Sequence, residues 1–119
     1  MASMEVKHTD SPDETRPFAD KGRAQVVRVG DTTIVRGTFE PGWRWSQHVK
    51  PLVGTESCQA AHTGYMVAGR MHIQMDDGSA QEVGAGDAVY IPAGHDAWIV
   101  GDEPCVFIDF TAPDYATRR

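Results

Sequence analysis

At 119 residues the chain has room for one domain with a real core, and too little for a catalytic domain beside a regulatory one. With 40% hydrophobic and 24% charged residues the balance is that of an ordinary globular protein, which argues against wholesale disorder. Seventeen acidic against eleven basic residues leave a formal charge of −6 without a Lys/Arg stripe, which argues against nucleic acid as a partner. No apolar run approaches a membrane span and no signal-peptide pattern opens the chain, so it reads as cytoplasmic.

Residues 1–24, MASMEVKHTDSPDETRPFADKGRA, are polar, carry two prolines and show neither a helical nor a strand period; they read as a loose N-terminal arm. Val6 and Phe18 are its apolar anchor points for the body or for a second subunit, and His8 reads as solvated. From residue 25 to residue 112 short β-type runs alternate with turn signals: QVVRV, TTIVRGTFE, YMVAGRMHIQM, AQEV, DAVYI, DAWIV and CVFIDF. Eight or nine such strands in about ninety residues, with almost no helix, predict an all-β antiparallel sandwich or barrel, followed by a tail at 113–119. In RMHIQM, alternation sends Met71, Ile73 and Met75 to one face and His72 to the other. In CVFIDF it is read as sending Val106, Ile108 and Phe110 to the core, with Asp109 opposite.

Cys58 and Cys105 are not spaced as a metal clip or a disulfide framework. Cys105 opens an apolar run and reads as a small core residue. Cys58 lies between Ser57 and Gln59 with no evident electropositive neighbour to lower its pKa, and reads as loop packing.

In GDAVYIPAGHDAW, Gly86 is followed after five residues by Pro92-Ala93-Gly94, turn chemistry bracketing an apolar strand. Upstream, PGWRWSQHVK places His48 six residues after Gly42, and HTGYMVAGRM reads as a strand pair around a glycine turn. Together and in this order, over about residues 30–111, these segments resemble the two conserved motifs of the cupin superfamily of small β-barrels. The resemblance implies a double-stranded β-helix, or jelly-roll, barrel. It also implies a metal site with two His and a Glu from the first motif and one His from the second.

Set against that pattern, His48 keeps the first position, Lys50 replaces the second His, His62 stands at the Glu position and Ala97 replaces the last His. Histidine is itself a strong transition-metal ligand, and His95 shares a strand face with Ala97. A shifted site of His48, His62 and His95 would thus hold a divalent transition metal: zinc, iron, manganese, nickel or copper. The other reading keeps these histidines as hydrogen-bonded pocket residues. There the cation of Lys50 would favour a small anionic or aromatic ligand, walled by Trp45 and Trp98 and touched by Gln59 on the connection of residues 51–61, a candidate flap.

The functions that follow are a metal-dependent cupin enzyme of dioxygenase, isomerase or lyase type acting on a small organic molecule, or a non-catalytic small-molecule-binding or sensory cupin. Whether the chain is an enzyme at all stays open at this point. The resemblance also implies a homodimer, with the arm available for exchange between subunits.

Overall fold

The computed structural model of the protein describes residues 3–111. The tail expected at 113–119 lies outside the described residues. Nine strands are found among them, in the order β1 (Glu14–Pro17), β2 (Gly22–Val29), β3 (Thr32–Phe39), β4 (His62–Ala68), β5 (Arg70–Met75), β6 (Ala80–Gly84), β7 (Ala88–Ile91), β8 (His95–Ile99) and β9 (Cys105–Asp109). They form a six-stranded sheet, β1-β2-β3-β9-β4-β7, and a three-stranded sheet, β6-β5-β8, and every pairing is antiparallel. Two such sheets with their apolar faces turned toward each other are the expected jelly-roll.

Alternation explains which residues meet inside. Along β4, His62, Gly64 and Met66 are buried while Thr63, Tyr65 and Val67 are exposed; along β8, His95, Ala97 and Ile99 point in while Asp96 and Trp98 do not. His72 lies, as expected, on the outer side of β5, between the buried Met71 and Ile73. For β9 the predicted faces are reversed. Cys105, Phe107 and Asp109 are buried, and Phe110, read as a core residue, is 51% exposed. Apolar residues occupy both faces of this strand, so hydrophobicity could not choose between them. Pairing with both β3 and β4 makes the choice, because Phe107 lies opposite Gly37 and Met66, where a ring fits.

The arm departs from expectation in part: Glu14–Pro17 pairs with β2, and of its two expected anchor points Phe18 enters the core while Val6 is 84% exposed. Lys7 bridges to Asp13 at 2.9 Å, and an Asp13 carboxylate oxygen accepts the Arg28 backbone N–H at 2.7 Å. The strand is only four residues long and carries a proline, which hides its period in the sequence.

Two single-turn helices, α1 (Trp45–His48) and α2 (Lys50–Val53), lie between β3 and β4, in a chain whose pattern predicts almost no helix. Gly54, in the left-handed region at φ 78°, ends α2, its N–H capping the Lys50 carbonyl. The chain then returns to the barrel at Cys58, which exchanges backbone hydrogen bonds with His95: Cys58 N to His95 O at 2.7 Å and His95 N to Cys58 O at 3.3 Å. The connection read as a candidate flap is thereby tied to β8.

Candidate metal centre

β4, β8 and this tied connection deliver three side chains to one spot in the barrel. Cys58, His62 and His95 are 4%, 7% and 3% exposed, and their ligating atoms lie within 4.8 Å of one another. His62 Nε2 is 3.5 Å from Cys58 Sγ, and the two imidazole rings meet edge to face with centroids 5.2 Å apart.

Each ring is oriented from behind. His62 Nδ1 lies 2.6 Å from Asp109 Oδ2, and Asp109, 1% exposed, accepts hydrogen bonds at Oδ1 from the backbone N–H and hydroxyl of Thr111. His95 Nδ1 lies 2.8 Å from the Pro92 carbonyl, which can only accept, so Nδ1 carries the hydrogen. In the neutral ring this leaves Nε2 as the lone-pair nitrogen. A carboxylate behind one imidazole and a carbonyl behind the other is the usual arrangement around metal-binding histidines, because it fixes ring and tautomer.

The group is electrostatically coupled. Burial alone pushes the Cys58 thiol up, but hydrogen bonds from His62 and His95 and their charges outweigh it and bring the thiol down to about 6. Burial likewise depresses His62, yet its hydrogen bonds to Asp109 and Cys58, reinforced by their negative charges, lift it to about 9. Cys105 has no such partners, and burial pushes it up to about 12.

In the metal-free protein the raised His62 stabilises the fold fully below its ordinary value of 6.5 and loses that contribution as pH rises through about 9. The depressed Cys58 stabilises above its ordinary 9.0 and loses that contribution as pH falls through about 6. Between these limits the two slopes oppose each other, since folded and unfolded chains hold one proton on the pair, on His62 in one case and on Cys58 in the other. The expected result is a thiolate ultraviolet absorbance that persists at pH 7 and fades as pH falls through about 6, with little pH dependence of stability from this pair. An absorbance that appears only near pH 9, or one unchanged in Cys58→Ser, would contradict it.

Of the other predicted site residues, Trp45 lines the cavity and the rest lie elsewhere. His48 Nδ1 accepts the Arg44 backbone N–H at 2.9 Å, and His48 does not line the cavity. The third group beside His62 and His95, expected from His48, is in this geometry Cys58. Lys50 pairs with Glu56 at 3.2 Å on the surface, so its ammonium does not face the cluster. Gln59 is exposed, its amide donating to Ser57 Oγ at 2.9 Å. Trp98 lies on the outer face, between the ring of His72, stacked at 4.4 Å, and the guanidinium of Arg44, 4.2 Å from its centroid. Of the predicted aromatic walls, Trp45 lines the interior and Trp98 does not.

Asp109 had one sequence signal, a lone acid in an apolar strand, which calls for a buried partner. Cys58 had a weaker one: it lies four residues before His62, close enough for the chain to return both side chains to one place.

The cavity beside the cluster has an empty volume of about 540 Å³, including open solvent at its mouth. Apart from Cys58, His62 and His95, its lining is aromatic and aliphatic, with Phe39, Trp43, Met66, Ile73 and Phe107 among the walls.

Residues 54–111 match the family described as Cupin domain. No curated protein matches the sequence. Among solved structures, the polyketide cyclase RemF from Streptomyces resistomycificus is similar at 20% identity and a TM-score of 0.62, over 90% of this chain and 78% of that one. An RmlC-like cupin from Shewanella frigidimarina aligns at 16% identity and a TM-score of 0.58, over 91% of each chain. Oxalate decarboxylase from Lactobacillus farciminis, in a formate complex, aligns at 18% identity and a TM-score of 0.61, over 92% of this chain but only 32% of its own length. At these identities the likeness is one of fold. No helix among the described residues is long and apolar enough to cross a membrane.

Proposed function

The chain belongs to the cupin superfamily, and from that premise we propose that it binds a divalent transition metal through Cys58, His62 and His95 and acts on a small organic molecule in the adjoining cavity. The observation that carries this reading is the convergence of three buried ligating atoms whose two imidazoles are held from behind. Two imidazole nitrogens and a thiolate suit zinc, copper, iron or nickel better than manganese, which prefers oxygen ligands. The approach of 3.5 Å between Sγ and Nε2 matches the edge of a tetrahedron with bonds of roughly 2.0–2.3 Å.

A metal bound by three protein groups keeps a position for substrate or water, and supplies Lewis-acid polarisation of an oxygen placed there. Asp109 holds His62 by its Nδ1, and the apolar walls keep water scarce around the reacting group. This supports an enzyme of dioxygenase, isomerase or lyase type. The non-catalytic reading has one observation in its favour: among the described residues the cavity lining offers no acid or base beyond the three proposed ligands.

The test is elemental analysis of untagged, chelator-free protein beside a His62→Ala, His95→Ala double variant, followed by oxygen-uptake and isomerase assays on the loaded form. Near-stoichiometric metal lost in the variant supports the site. Wild-type protein that takes no metal, even on anaerobic reconstitution, refutes it. Asp109→Asn keeps the side-chain shape and removes the charge behind His62, and is expected to weaken metal binding by about 10–100-fold in chelator competition without unfolding the barrel. Undiminished affinity would show that Asp109 plays no part in orienting the ligand.

We also propose a cytoplasmic homodimer. Both cysteines are unpaired, in keeping with a reducing compartment. Tyr65, Val67, Tyr90 and Phe110 leave an apolar patch, each 46–67% exposed, on the outer face of the six-stranded sheet, a surface suited to a second copy. Light scattering is expected to give twice the chain mass. A single-chain mass at high concentration would refute the dimer.

A further inference from the structure

The cavity is polar at one end only. In register, β8 runs from His95 at the cluster through Ala97 to Ile99, and β9 runs from Asp109 behind the cluster through Phe107 to Cys105. Phe39 pairs with Cys105, and the Ile99 N–H binds the Trp43 carbonyl, so both sheets place the aromatic group of Phe18, Phe39 and Trp43 at the opposite end. Four strand residues separate the two ends, about 13 Å. Between them Ala97, Ile73, Met66 and Phe107 leave an apolar passage.

Among the described residues no lysine, arginine or carboxylate lines this space. The nearby cations are engaged outside, Lys50 with Glu56 and Arg44 with Asp96. A carboxylate or phosphate would find a charge partner only at the Cys58–His62–His95 end, and the rest of its charge would lie against apolar walls. A flat ring system would lose little water and meet aromatic faces instead. At the aromatic end, Trp43 is 3% exposed and its Nε1 finds no acceptor among the described residues.

We infer that the site takes a neutral, flat, mainly hydrocarbon molecule whose phenol, enol or ketone oxygen reaches the Cys58–His62–His95 cluster, and that it discriminates against carboxylates. This rests on the proposed metal site for the role of the oxygen, whereas the preference for an uncharged ring rests on the walls alone.

The test is calorimetric titration of the zinc-loaded protein with 2-naphthol, 2-naphthoate and oxalate, with zinc content measured on the same samples. Naphthol is expected to bind at least tenfold more tightly than naphthoate, and oxalate not measurably. Ala97→Leu, which fills the passage, is expected to weaken naphthol at least tenfold and to keep its zinc. Fully loaded protein that prefers naphthoate or oxalate, or that binds no naphthol, overturns the ligand class and leaves the metal site standing. Protein that holds no zinc yet still prefers naphthol to both anions supports the ligand class and removes the metal reading.

Discussion

Replacing Cys58 with alanine is expected to weaken metal binding by more than the roughly 10–100-fold that losing a supporting group costs, while the barrel stays folded. The side chain is the only anionic ligand in the proposed set, and the soft one. Its removal leaves two imidazoles, and His62 also loses the partner that helps to raise its pKa. The fold should tolerate the change because Cys58 is joined to β8 through backbone groups, which alanine retains. Chelator competition measures the affinity, and circular dichroism with a guanidinium titration checks the fold. Unchanged affinity in a folded variant would mean that the thiol is not a ligand.

Gly64→Ala is expected to be the most damaging single-methyl change near the site, costing at least about 3 kcal/mol in a denaturant titration, at the upper end of overpacking. A Cβ at this position would lie 2.0 Å from the Ile108 carbonyl oxygen and 2.6 Å from the tip of the Phe107 ring. The carbonyl belongs to β9, which is hydrogen-bonded on both sides, to β3 and to β4, so it cannot retreat without breaking a ladder. Gly64 also lies two residues after His62 on the same inward face, so any shift of β4 moves a proposed ligand. A loss below about 1 kcal/mol would show that the β4–β9 contact is softer than this packing requires.

Most of the barrel could be read because turn residues punctuate it. Gly30-Asp31, Asp76-Asp77-Gly78, Pro92-Ala93-Gly94 and Gly101-Asp102 each end a strand close to where the structure ends it. β1 could not be read, being three polar residues and a proline that become a strand by pairing with β2. The helical turn at Trp45 was hidden by the alternation of Trp43 and Trp45, which reads as a strand although both rings are buried.

Within the cluster, His62 and His95 were legible through the resemblance, which put His62 at the Glu position and His95 on the strand face of Ala97; the structure brings the two rings together. Cys58 was not. Its apparent isolation from positive charge is a fact of sequence distance, and the exchange of hydrogen bonds with His95 brings two imidazoles to it across the fold. Lys50 misled in the opposite sense: near His48 in the chain, it turns outward to Glu56. The reversed face of β9 concealed Asp109 for the same reason, since neighbours across the sheets, and not along the chain, decide what is buried.

The central claim is that Cys58 joins His62 and His95 around one metal ion, and cobalt(II) substitution tests it most directly. Cobalt-loaded wild-type protein is predicted to show an intense thiolate-to-cobalt charge-transfer band at about one cobalt per chain, and Cys58→Ser is predicted to lose that band. A spectrum without the band, or one that survives in Cys58→Ser, would contradict the account.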